Sequence, residues 1–191
     1  AAAAPAAAPT TAEPTEAAGP SEELTACAAE VAVGEELAEV AKVGATNWKS
    51  HYTASVDYNA GRISLDEANE IFGETKVNVM EEVADYEQAR AAYEEASGAC
   101  TELAEAPDDG DFADKAADCA DRGAALNDLT TTADKVMGDW AEHGAMMASK
   151  AEQDINDYMA EWHHDVDTAP ENMKPYEEAV AALEEAPACS L

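Results

Sequence analysis

Two stretches of this 191-residue chain repeat one another. Cys27, Leu37, Trp48 and His51 recur as Cys119, Leu129, Trp140 and His143, each 92 positions later. Beyond a two-residue deletion, Leu65, Phe72, Tyr86, Ala89 and Tyr93 recur as Ile155, Trp162, Tyr176, Ala179 and Leu183, each 90 positions later. The endings YEQARAAYEEASGAC and YEEAVAALEEAPAC are then similar by inspection. An internal duplication constrains the fold more than any single motif, because one supersecondary unit must pack against a copy of itself. It also sorts residues. A side chain kept in both copies serves the shared scaffold, whereas one found in a single copy needs its own reason.

The duplication divides the chain into a leader over residues 1–20, a first repeat over 21–100, a connector over 101–118 and a second repeat over 119–191. Units this small have thin cores. The four cysteines open and close the copies, so the simplest pairing is Cys27 with Cys100 and Cys119 with Cys189. On the loop-entropy model each such bridge removes about 4 to 5 kcal/mol of unfolded-chain entropy. A pairing swapped between repeats and a metal site are the alternatives, the latter disfavoured because no CxxC spacing occurs. Paired structural cysteines point to an oxidising compartment, hence to an exported protein, secreted or tethered to the cell envelope. The leader, AAAAPAAAPTTAEPTEAAGP, has no large apolar side chain and reads as a disordered tether. A chain opening on Ala1 fits a signal sequence already removed, with any lipid anchor lying upstream. No apolar run is long enough to span a membrane.

The formal net charge is -32, and it is spread over every segment. Phosphate would be repelled, and no basic stripe exists to release counterions, so nucleic-acid binding is not expected. An acidic surface instead suits a well-solvated exported protein, a cationic partner or adaptation to high salt.

Both repeats are rich in Ala, Glu, Leu and Asp, with Gly and Pro only where helices could end, so the fold class expected is all-α. In repeat two, Leu126, Leu129, Ala133, Val136, Trp140, His143 and Met147 follow an unbroken spacing of three and four, which marks the seam of a packed helix. Repeat one has Gly34, Leu37, Ala41, Gly44, Trp48, His51 and Ser55 there, smaller residues that permit close approach. After a turn at Asn59-Ala60-Gly61, Ser64 with Glu67 caps a second helix running to Phe72 or Lys76, and a third leads from Met80 to Cys100. In repeat two, Thr168-Ala169-Pro170-Glu171 predicts the corresponding break. The expected architecture is therefore two disulfide-stapled three-helix units, packed about a pseudo-twofold axis as a helical bundle.

The repeated W-x-x-H pairs put Trp48, His51, Trp140 and His143 on the interior seam, with Phe72 and Trp162 as further shared core. A histidine there is ordinarily a packed residue with satisfied nitrogens. A pseudo-twofold would nonetheless bring the two imidazoles together, where they could ligate a metal. Repeat two also carries five of the six methionines and three of the four histidines. His143 lies three residues before Met146 and four before Met147, so imidazole and thioether share a helix face, and His163 or His164, with Asp165 behind it, could assist. Imidazole with thioether is a set that copper uses, the thioether favouring Cu(I). Methionine is also ordinary core filling. Asp108, Asp109, Asp111 and Asp114 lack the alternation of an EF-hand loop. No serine or cysteine nucleophile, phosphate-binding glycine loop or HExxH motif appears.

The leading functional expectation is an exported, non-enzymatic accessory or interaction protein that needs no cofactor and meets a protein partner or cell-envelope component. The alternative is an extracytoplasmic copper-binding protein using His51, His143, Met146, Met147, His163 and His164, centred on repeat two.

Overall fold

Local capping sets the first two helix starts. Ser21 accepts from the Leu24 amide at 3.1 Å and opens α1, Glu22–Asn59. Ser64 and Glu67 form the reciprocal capping box expected of them and open α2, Leu65–Thr75. The computed structural model describes residues 19–105 and 110–191, and the remaining elements are α3 (Val79–Ala96), α4 (Ala99–Glu105), α5 (Ala113–Ser149) and α6 (Ile155–Glu185), with a single 3-10 turn at Lys150–Glu152. The fold is all-α. The leader through residue 18, together with Asp108 and Asp109 of the acidic connector, lies outside the described residues.

Two disulfides join Cys27 to Cys100 and Cys119 to Cys189, as the spacing predicts. Three helix boundaries depart from expectation. The third helix of repeat one stops at Ala96, because Gly98 adopts φ +113° and turns the chain before α4 carries Cys100. Both ends of the connector are helical, in α4 and the start of α5. Most notably, the break predicted at Thr168 to Glu171 is missing: α6 runs through Pro170 and Pro175 as one helix. Interior proline costs about 3 kcal/mol, but Val166, Ala169, Met173, Tyr176 and Leu183 are buried on both sides of it and hold one apolar stripe against the core. The first copy breaks instead. There the counterpart of Val166 is Lys76, whose charge cannot be buried, and the chain turns outward through an exposed Val77. Helix α6 is thus the counterpart of α2 and α3 together.

The long helices α1 and α5 pack on each other, flanked by α2 and α3 on one side and α6 on the other, and both halves share one hydrophobic core. Where α1 crosses α5, residues meet their own counterparts. A Cβ on Gly34 would lie 2.9 Å from Leu126 Cδ1, and Leu126 is the residue 92 positions later. Two leucines would collide there and two glycines would leave a hole, so one small residue meets one large one. Gly44 receives Met137, the counterpart of its neighbour Ala45, and the Met137 Sδ would be 2.6 Å from an added Cβ. Packing therefore accounts for Met137, and Met173, 3 % exposed, is also core.

Among the described residues, no helix is long and apolar enough to cross a membrane.

Candidate functional site

At the centre of the α1/α5 contact the indoles of Trp48 and Trp140 stack, with centroids 5.3 Å apart. Both are 0 % exposed, and an aromatic side chain of this kind withdraws about 150–250 Å² from water, an upper bound of about 4 to 6 kcal/mol each. The histidines one turn later are crossed against them. Trp48 lies 4.8 Å from His143, Trp140 lies 5.4 Å from His51, and the two imidazoles are 5.1 Å apart with planes inclined at 68°. Such reciprocity is what counterparts beside a pseudo-twofold must show. Phe72 of α2 covers His51 at 4.8 Å, and Trp162 of α6 covers both imidazoles, at 5.4 Å and 4.7 Å. The four core aromatics and two histidines picked out by the repeat form one cluster.

Hydrogen bonding assigns the proton on each ring. His51 Nδ1 is 2.7 Å from Thr75 Oγ1, and that hydroxyl donates to the Ile71 carbonyl at 2.8 Å. The hydroxyl hydrogen is already used, so His51 Nδ1 is the donor. His143 Nδ1 is 3.0 Å from Asp165 Oδ2, an acceptor, and so is also N–H. Thr75 and Asp165 are themselves counterparts, 90 positions apart. Each neutral imidazole then presents an unprotonated lone pair at Nε2. Both His51 Nε2 and His143 Nε2 are buried without a hydrogen-bond partner.

Burial, reinforced by the neighbouring His143 and by Lys76, pushes the His51 pKa down to about 3. Burial also lowers His143, against the opposing hydrogen bond and negative charge of Asp165. Both rings are therefore neutral at pH 7.

A second pair of counterparts braces the cluster. Asn47 Nδ2 donates to Glu82 Oε1 at 2.5 Å, while Glu82 Oε2 accepts from Trp140 Nε1 at 2.9 Å. In the other half the types are exchanged: Asn172 Nδ2 donates to Asp139, at 2.9 Å to Oδ2. Asn172 is one methylene shorter than Glu82, and Trp48 Nε1 is left buried without a partner. Sequence reading missed both clamps, although the reciprocal exchange of Asn47/Glu82 for Asp139/Asn172 at the repeat offsets was the available signal.

The remaining predicted ligands are dispersed. Met146 is 3 % exposed, and Met147 packs half-buried against the core at the position Ser55 holds in repeat one. His163 and His164 are exposed and, among the described residues, make no ring contact with the buried pair. Asp165, expected behind one of those two histidines, orients His143 instead. Among the described residues, no group of three or more His, Cys, Asp or Glu is placed to hold a metal ion. No protein-family profile, curated protein or solved structure matches the chain.

Proposed function

We propose that this is an extracytoplasmic, non-enzymatic protein that binds one Cu(I) ion between His51 Nε2 and His143 Nε2. One observation carries the reading: two neutral imidazoles, 5.1 Å apart, each oriented through Nδ1–H and each with a buried, unpartnered Nε2. An imidazole that donates its other N–H to a fixed acceptor is the arrangement by which proteins orient metal-binding histidine. The donor set favours a soft monovalent ion, because zinc takes four ligands and calcium takes oxygen. Met147, four residues after His143 on α5 and half-buried, shares a helix face with it, and a thioether is a donor that Cu(I) accepts. The disulfides suit the oxidising compartment where such a protein would work.

The test is anaerobic Cu(I) titration against a competing chelator. One ion per chain is expected, with affinity falling at least about 100-fold in His51→Asn or in the His143→Ala, Met147→Ala double variant, and about 10-fold in Asp165→Asn. Absence of binding, or affinity unchanged in the double variant, would overturn the reading; a water held between the imidazoles would give that result.

The accessory-protein reading has its own support. Tyr58, Leu65, Ile155 and Met159 are large apolar side chains 39–58 % exposed, and Tyr58, Leu65 and Met159 line one groove. A partner bound there would protect them from solvent exchange or oxidation, whatever the histidines hold.

A further inference from the structure

The imidazole pair is 0 % exposed, so anything reaching Nε2 must displace a side chain. Trp48 and Trp140, also 0 % exposed, seal one side. The other two rings against the imidazoles, Phe72 and Trp162, are only half-buried, and both line a groove of about 350 Å³ between α1, α2 and α6, together with Tyr58, Leu65, Met159 and His163. One wall of the groove is thus the outer face of the histidine cluster. Trp162 is tethered to its place by a single hydrogen bond, Nε1 to Ser55 Oγ at 3.2 Å, and meets Phe72 edge to face at 5.4 Å. Met159 and His163 are four residues apart on α6, so thioether and imidazole share one exposed face beside that ring.

We infer that this groove is the port to the buried histidines, with Trp162 as its gate and Met159 with His163 as a transient metal site at its mouth. Swinging the indole outward breaks one hydrogen bond and its ring contacts with Phe72, His51 and His143, and opens the side of the imidazole pair that Trp162 covers, whereas moving Trp48 or Trp140 would open the core. The identity of the ion that passes rests on the copper reading; the gate does not.

Two measurements separate them. Diethyl pyrocarbonate acylates unprotonated imidazole, and peptide mapping distinguishes His51 and His143 from the exposed His163 and His164. Ser55→Ala, which removes the tether without opening a large cavity, and Trp162→Phe should each raise the modification rate at His51 and His143 about tenfold, the effect of losing one hydrogen bond on a local opening equilibrium. Thermal midpoints measured alongside show that the fold persists. Rates unchanged in both variants, or raised no more than the rate of global unfolding, would overturn the gate even if no copper binds. In stopped-flow loading with Cu(I), a Met159→Leu, His163→Asn variant should load about tenfold more slowly at unchanged equilibrium affinity. An unchanged loading rate would remove the transient site while leaving the buried pair intact.

Discussion

Acidification isolates the buried imidazoles. The unfolded chain holds His51 at an ordinary pKa near 6.5, and the folded chain holds it at about 3. Between those values the unfolded state binds more protons, so stability is fully present above pH 6.5 and is lost as pH falls toward 3. From pH 7 to pH 5, His51 alone costs about 2 kcal/mol, a large share of a stability of about 5–15 kcal/mol. His143 shifts in the same direction and adds to the loss, less strongly because Asp165 favours its charged form. Two effects oppose this. The pKa of half-buried Asp139, raised chiefly by burial, favours the folded state as pH falls. Relief of self-repulsion in a chain of charge -32 also favours it, and 1 M salt, with a Debye length of about 3 Å, removes most of that. The assay is urea unfolding from pH 7 to pH 5 in 1 M salt with a chelator present. Unfolding should take up between one and two protons near pH 5.5, and His51→Asn should reduce that by about one. Stability that stays level or rises across this range would refute the burial of neutral imidazoles.

The unpartnered indole predicts a stabilising substitution. Asn172→Gln keeps the bond to Asp139 and extends the amide oxygen toward Trp48 Nε1, as Glu82 does for Trp140; urea unfolding should show a gain of about 1 kcal/mol. Two glycines of α5 should respond in opposite ways to alanine. At Gly123 the new Cβ would lie 2.5 Å from Cys100 Cβ, and overpacking against the disulfide should cost about 1–3 kcal/mol. At Gly138 nothing lies within 4 Å, and relief of unfolded-chain entropy should add about 0.5–1 kcal/mol. Thermal midpoints that moved the same way in both would show that α5 does not pack against Cys100 of α4 as described.

Much of the scaffold was legible in one dimension because it rests on local or pairwise rules. Seam spacing located α1 and α5, the Ser64/Glu67 box located α2, and the positions of the cysteines gave both bridges. The small residues of the first seam, Gly34 and Gly44, do admit Leu126 and Met137. Proline misled for the opposite reason. Its local penalty predicted a break in repeat two, while the burial of Val166 and Tyr176 on either side of Pro170 kept α6 continuous, and the unremarkable Lys76 marked where repeat one turns. The methionine excess of repeat two also changed meaning. Met137 fills the gap over Gly44, Met173 lies in the core, and Met159 lines the groove.

What the sequence determined alone is the pairing: which residues are counterparts, which helices carry them, and which cysteines close each copy. Those properties follow from spacing, and spacing survives in a linear string. Only the tertiary structure decided that Thr75 and Asp165, on helices outside the seams, accept hydrogen bonds from Nδ1–H of His51 and His143 and leave two Nε2 lone pairs inside the protein. That outcome depends on the crossing of α1 over α5 and on the reach of α2 and α6 beside it. Hydrogen-bond direction and burial are set by three-dimensional neighbours, which no periodicity encodes.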